Sequence, residues 1–381
     1  MLTTPSQPAR ALPAADAHGR ATDWAYRGNQ PKSTQALAAW HGLAVREPVI
    51  EPALEIIDPH HHLYDDPPNG NHYLLPDLLA DIGGGHNVVA TIYVEAYGSM
   101  WRASGPDAMR PVGEVEFAAG MAAIGASAIY GPCAVAAGIV GHADLALGDP
   151  VRPVLEAQVH AGQGRLRGVR YQAASDTGHV GRFIKRRVPQ FLLADATFRR
   201  GFAQLADFDL SFDAWLLHHQ LDELQALAAA FPGTTIVLNH AGGLMNVAEH
   251  RDHYAENLAR WRTSLRRLAA HDNVMLKIGG MGMAVFGFGF EQAARPAGSA
   301  ALVQAWKPYI DTCIDSFGPR RCMFESNFPV DRQSCSYTAL WNAFKLATAD
   351  MAPAERGELF SGTARRVYRL PEPASPTARS P

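Results

Sequence analysis

Short runs of Val, Ile, Leu and Phe recur along this chain, separated by longer stretches whose apolar residues fall three and four positions apart. The first pattern fits buried strands and the second amphipathic helices. Eight runs qualify as strands: Leu54–Asp58, Val88–Glu95, Cys133–Val140, Leu166–Tyr171, Leu210–Leu217, Thr234–Asn239, Val274–Ile278 and Arg321–Glu325. Helical spacing is clearest in Glu114–Ser127, Leu221–Phe231, Ala255–His271, Ala300–Phe317 and Tyr337–Thr348. This alternation predicts an α/β fold, a (β/α)8 TIM barrel, an architecture that usually takes about 250 residues and tolerates insertions. A doubly wound open sheet is the rival, but no G-x-G-x-x-G turn follows the first strand. The barrel is expected over residues 46–370. Residues 1–45 are read as an N-terminal extension, partly disordered or draped on the barrel, and 371–381 as a flexible C-terminal tail.

The composition narrows the partners. The 381 residues are 47% hydrophobic, enough for a large core. Lys plus Arg number 34 against 37 for Asp plus Glu, with no basic stripe, so nucleic acid is not an expected partner. No segment offers about 18 unbroken apolar residues and the N-terminus has no apolar signal core, so neither membrane nor export is expected and the cytoplasm is inferred. Cys133, Cys313, Cys322 and Cys335 are scattered without a C-x-x-C pair, and read as reduced thiols rather than a zinc ribbon or disulfide framework.

In such a barrel the chemistry gathers where strands end. Strand one ends in DPHHHLYD. Alternation places Asp58, His60 and His62 on one face, so the two histidines, about 6.6 Å apart along the strand, can present imidazoles to one cation. Asp58 then orients an imidazole or the following turn, and His61, out of phase, packs elsewhere. Strand two ends in Glu95, which can shuttle protons, support other groups or simply be solvated. Strand four gives GVRYQ, where the Arg170 guanidinium suits a substrate carboxylate and Gln172 follows in phase. Strand five ends in His218 and His219, only one of which can face the axis. Strand six ends in LNHAGG, placing His240 before two glycines that allow close approach of backbone to ligand. Strand seven brings Lys277, a candidate for an anionic group, and a loop dense in Gly, Met and Phe. Strand eight gives FESNFPVD, with Glu325 and Asn327 in phase and Asp331 beyond the turn.

The pieces DPHHHLYD, GVRYQ, FDAWLLHHQL, VLNHAGG and FESNFPVD together resemble the amidohydrolase superfamily, in particular its metal-dependent, lactonase-like TIM-barrel branch. The resemblance implies His60, His62, His218 and His240 as metal or substrate ligands, His218 being the strand-five residue of the pair, and Arg170 as a holder of a substrate carboxylate; Gln172, Lys277 and Glu95 are candidate substrate contacts from their strand-end positions. It also exposes a departure. Many relatives carry an aspartate where this chain has Asn327, and an amide neither ligates strongly nor accepts a proton from water. Either Glu325, Asp331 or a histidine such as His240 supplies the base, or the chain does not hydrolyse by the usual route.

The implied activity is opening of a small cyclic ester, a lactone bearing a carboxylate, or a related C–O or C–N bond. A divalent ion, zinc foremost, would assist, or the imidazoles would polarise the carbonyl directly. Two other readings keep the fold: nonoxidative decarboxylation of an unsaturated or aromatic acid, and a catalytically inactive barrel that binds a small acid. The expected partner is a small anionic molecule, with a homodimer as the default assembly.

Overall fold

The apolar runs become parallel strands because each is buried on both faces, by the barrel interior and by the surrounding helices. The structure is a computed structural model that describes residues 28–371 except 30–31, 68–69, 97, 128 and 185. Its eight barrel strands are β1 (Glu55–His61), β2 (Asn87–Val94), β3 (Ala134–Gly141), β4 (Leu166–Gln172), β5 (Ser211–Trp215), β6 (Ile236–Leu238), β7 (Val274–Ile278) and β8 (Cys322–Phe324). Each pairs in parallel with the next in chain order.

Closure between β8 and β1 falls at their carboxyl ends. His61 bridges Phe328, His62 N donates to Phe328 O at 2.8 Å, and Asn327 N donates to His60 O at 2.9 Å. The backbone bonds that complete the ring therefore bring the histidines of β1 beside the segment that follows β8. Asp58 reinforces this seam by accepting from Ser326 N at 3.0 Å and from the Tyr337 hydroxyl at 3.0 Å.

The other end of the barrel is filled by the C-terminal helix Thr363–Val367 and the residues after it. Ala364, Val367 and Tyr368 pack with Ile57, Ile92 and Val237 in one interior cluster. Outside, the expected helices appear as Val112–Gly125, Leu221–Ala230, Tyr254–Ala269, Ser299–Phe317 and Tyr337–Ala347.

Part of the N-terminal extension is helical. Thr34–His41 starts at Ser33, whose side chain accepts from Ala36 N, and Trp40 Nε1 of this helix donates to Ala293 O at 2.9 Å. The expected leader lies largely outside the described residues, since 1–27 are not among them, and so does the tail from 372 onward. All four cysteines are buried and unpaired. Among the described residues, no helix is long and apolar enough to cross a membrane.

Candidate functional site

β1, β6 and β8 deliver the centre. A register shift between Asp58 and His61 interrupts the strict alternation of β1. Asp58 accepts from the His60 amide at 3.3 Å as well as from Ser326 and Tyr337, so it steadies the turn. His61 meets the Thr91 hydroxyl at 2.9 Å, the packing role expected of the out-of-phase residue. His60 Nδ1 lies 2.7 Å from Glu325 Oε2, and His240 Nδ1 lies 2.7 Å from Glu325 Oε1. One buried carboxylate thus spans two imidazoles. The His60 ring centroid is 4.9 Å from that of His62 and 4.6 Å from that of His240.

Local backbone shape makes this approach possible. His240 has φ of 54°, in the left-handed region that non-glycine residues rarely occupy, and its amide donates to Glu325 Oε1 at 3.0 Å. At the end of β7, a Cβ on Gly280 would stand 2.5 Å from His240 Nδ1, and one on Gly279 would stand 2.4 Å from Glu325 Cγ. Only glycine lets this backbone lie against both groups. The glycine pair after His240 acts differently from the sequence expectation: a Cβ on Gly243 would meet the Leu216 carbonyl at 2.2 Å, so it accommodates protein backbone rather than ligand.

Two cations flank the centre, and each has its own carboxylate. Lys277 Nζ donates to Asp213 Oδ2 at 2.7 Å and stands 3.5 Å from His60 Nδ1. Asp213 is steadied by the Tyr368 hydroxyl, 3.0 Å from Oδ2, and by Asn239 Nδ2 at 3.1 Å. Arg170 Nε donates to Glu95 Oε1 at 2.7 Å, its Nη2 donates to Glu95 O, and Nη1 lies 3.3 Å from His60 Nε2. Glu95 therefore engages Arg170 twice, through one carboxylate oxygen and through its backbone carbonyl. Gln172 lies half-buried at the end of β4, in register with Trp215, whose ring meets His240 edge-on at 4.7 Å.

Burial dominates the protonation of these groups. It holds His60, His62 and His240 well below the usual imidazole range, with Lys277 adding to the effect at His60 and Arg170 at His62 and His240, so all three are neutral. It pushes Glu325 up to about 8, against the opposing charge of Lys277. His62 Nδ1 donates to Val94 O at 2.8 Å, which leaves Nε2 as the nitrogen that can accept.

Two expected site residues point elsewhere. His218 accepts weakly from Met245 N at 3.4 Å and packs near His219 and His250, with ring centroids at 5.6 and 6.0 Å. The structure does not bring it to the His60, His62 and His240 group, because β5 ends at Trp215 and a 3-10 turn starting at His218 carries the ring away. Asn327 Nδ2 donates to Asp331 Oδ1 at 2.8 Å, and Asp331 Oδ2 accepts from Gly282 N at 2.8 Å. The amide and the neighbouring acid satisfy each other, and Glu325 is the carboxylate that reaches the histidines.

The sequence reading missed Asp213, Trp215, Tyr368 and His142. His142 immediately follows β3, is stacked on Trp101 at 5.5 Å, and lies 3.0 Å from Arg186 Nη1. The strand-end rule finds it once β3 is extended to Gly141. Asp213 was hidden because an acid in mid-strand reads as an interruption of the apolar run.

His60, His240 and Glu325 fit a divalent ion. Their ligand atoms lie within 4.8 Å of one another. Glu325 Oε2 is buried without a hydrogen-bond partner despite its closeness to His60. Two neutral imidazoles and one carboxylate form a donor set used by catalytic zinc. Because Asp213 and Glu95 already balance Lys277 and Arg170, the charge of Glu325 is left for such an ion.

Comparison with known proteins gives a consistent picture. A sequence model of the amidohydrolase family matches residues 57–370. An uncharacterised protein of Sinorhizobium fredii is 30% identical over 83% of this chain and 99% of its own length. An L-fucono-1,5-lactonase of Burkholderia multivorans is 35% identical over 62% of this chain and 73% of its own. The crystal structure of a zinc-bound amidohydrolase, also from Burkholderia multivorans, covers 83% of this chain and 99% of its own, at 29% identity and a TM-score of 0.62.

Proposed function

The chain belongs to the amidohydrolase family, and from that premise we propose that it hydrolyses a small lactone of the sugar-lactone class at the histidine pair joined by Glu325. The observation that carries this reading is the buried carboxylate 2.7 Å from both His60 and His240, whose neighbouring cations are already paired. A zinc-class ion held by His60, His240 and Glu325 would polarise the ester carbonyl and acidify water.

The chain supplies the rest. His62 Nε2, unprotonated because Nδ1 donates to Val94 O, accepts a hydrogen bond from the attacking water and orients it. As the carbonyl carbon is attacked and its bond to the ring oxygen breaks, a proton of that water passes to the leaving oxygen, giving a hydroxy acid. Arg170, fixed by Glu95, favours the negative charge that develops on the substrate. Arg170 and Lys277 free to clamp a substrate would call for a carboxylate-bearing lactone. With both internally paired, an uncharged polyhydroxylated lactone is the better fit, and Trp215, half-buried beside His240, offers it an apolar wall.

The test is a panel of sugar lactones given to the zinc-supplemented protein, with acid release followed by a pH indicator. Turnover that falls about 10²–10⁴-fold in His62→Ala supports the reading. Absence of turnover on every lactone, or carbon dioxide release from unsaturated acids instead, refutes it.

A further inference from the structure

A second group of metal-ligating side chains lies where the loop after β4 meets the loop after β6. Asp176 comes from the first loop, Glu249 and His250 from the second. His250 Nε2 is 3.2 Å from Asp176 Oδ1. The ligand atoms of Asp176, Glu249 and His250 lie within 4.8 Å of one another. Around a tetrahedral zinc with bonds of about 2.1 Å, neighbouring ligand atoms stand about 3.4 Å apart, so small side-chain adjustments would close this set on an ion.

The carboxylates are held in place by the backbone. The Asp176 side chain is only 7% exposed, and its Oδ2 accepts from Gly178 N at 3.0 Å and Gly181 N at 3.2 Å, leaving Oδ1 turned to His250. Glu249 Oε1 accepts from His179 N at 2.7 Å. A Cβ on Gly178 would stand 1.5 Å from Glu249 Oε1, so the first loop is shaped around the second loop's acid.

Asp176 and His250 open onto a cavity of about 470 Å³ that His218, His219 and Arg260 also line. The His219 ring lies parallel to that of His250 with centroids 6.4 Å apart.

We propose that Asp176, Glu249 and His250 form a second divalent-cation site of the zinc class, which ties the loop after β4 to the loop after β6 at the barrel mouth. The mixed nitrogen and oxygen donors suit zinc, and three protein ligands leave a position open to the cavity. This site is independent of the lactone reading, and of whether the Glu325 centre holds an ion.

The test compares zinc content per chain after equilibrium dialysis against a zinc buffer, for wild type, His250→Gln and Asp176→Asn. The amide oxygen introduced by Asp176→Asn still accepts from the Gly178 and Gly181 amides, so the loop retains its turn while an anionic ligand is lost. Each variant is expected to hold one zinc fewer than wild type and to show a smaller zinc-induced rise in melting temperature. Equal zinc content in wild type and both variants overturns the proposal. Because the reading is a difference between chains, a zinc at the Glu325 centre cancels from it.

Discussion

Glu325 has no cation of its own, and replacing it with glutamine should expose what that costs. Burial raises its carboxyl from the usual 4.5 to about 8 in the metal-free protein. Below about pH 4.5 the group is protonated in both the folded and unfolded states and contributes nothing to the pH dependence. Between 4.5 and 8 the unfolded chain releases the proton while the folded chain keeps it, so folding stability falls as pH rises; above 8 the loss is complete. At 1.36 kcal/mol per pH unit, the interval from pH 5 to pH 8 gives a ceiling of about 4 kcal/mol, lowered by whatever water or side-chain movement accommodates the charge.

Glu325→Gln removes the titration and leaves the shape. The assay is urea unfolding of wild type and variant in chelator at pH 5 and pH 8, where constant offsets between the two proteins cancel. The stability of the variant relative to wild type should rise by a few kcal/mol across that interval, and zinc should narrow the gap at pH 8 by stabilising wild type more than the variant. A gap that stays constant or shrinks as pH rises would refute the argument.

Three other substitutions probe the surroundings. Asn327→Asp would set a second carboxylate against Asp331 in place of the 2.8 Å amide bond, so it should lower stability by about 1–3 kcal/mol without raising lactone turnover, as melting temperature and kinetics would show. Tyr368→Phe removes the hydroxyl 3.0 Å from Asp213 Oδ2 and loosens the support of Lys277; kcat should fall severalfold with little change in KM, measured on the lactone that wild type opens best. Gly280→Ala would combine a Cβ 2.5 Å from His240 Nδ1 with a φ of 65°, and should abolish turnover while the chain still gives a folded far-ultraviolet circular dichroism spectrum.

The barrel was legible because its strands are apolar runs of the right length, and β7 begins and ends where the sequence placed it, at Val274 and Ile278. The helices Leu75–Ile82 and Arg152–Ala161 were less visible, being short, with Pro76 and Pro153 in their first turns and apolar stripes only two or three residues long. His60, His62, His240 and Glu325 follow from asking what each strand ends in. His218 did not follow, because adjacent histidines do not reveal where the strand stops and the turn begins. The pairing of Arg170 with Glu95 and of Lys277 with Asp213 was equally hidden. Each joins different strands, and a charge that looks available to a substrate along one strand is neutralised by another.

The most direct measurement of the central claim is anomalous diffraction at the zinc edge from crystals of the zinc-loaded protein. The account predicts a peak about 2.0–2.2 Å from His60, His240 and Glu325, with His218 outside its coordination. A zinc-saturated crystal with no peak among those three side chains, from protein that still opens lactones after chelation, would contradict it.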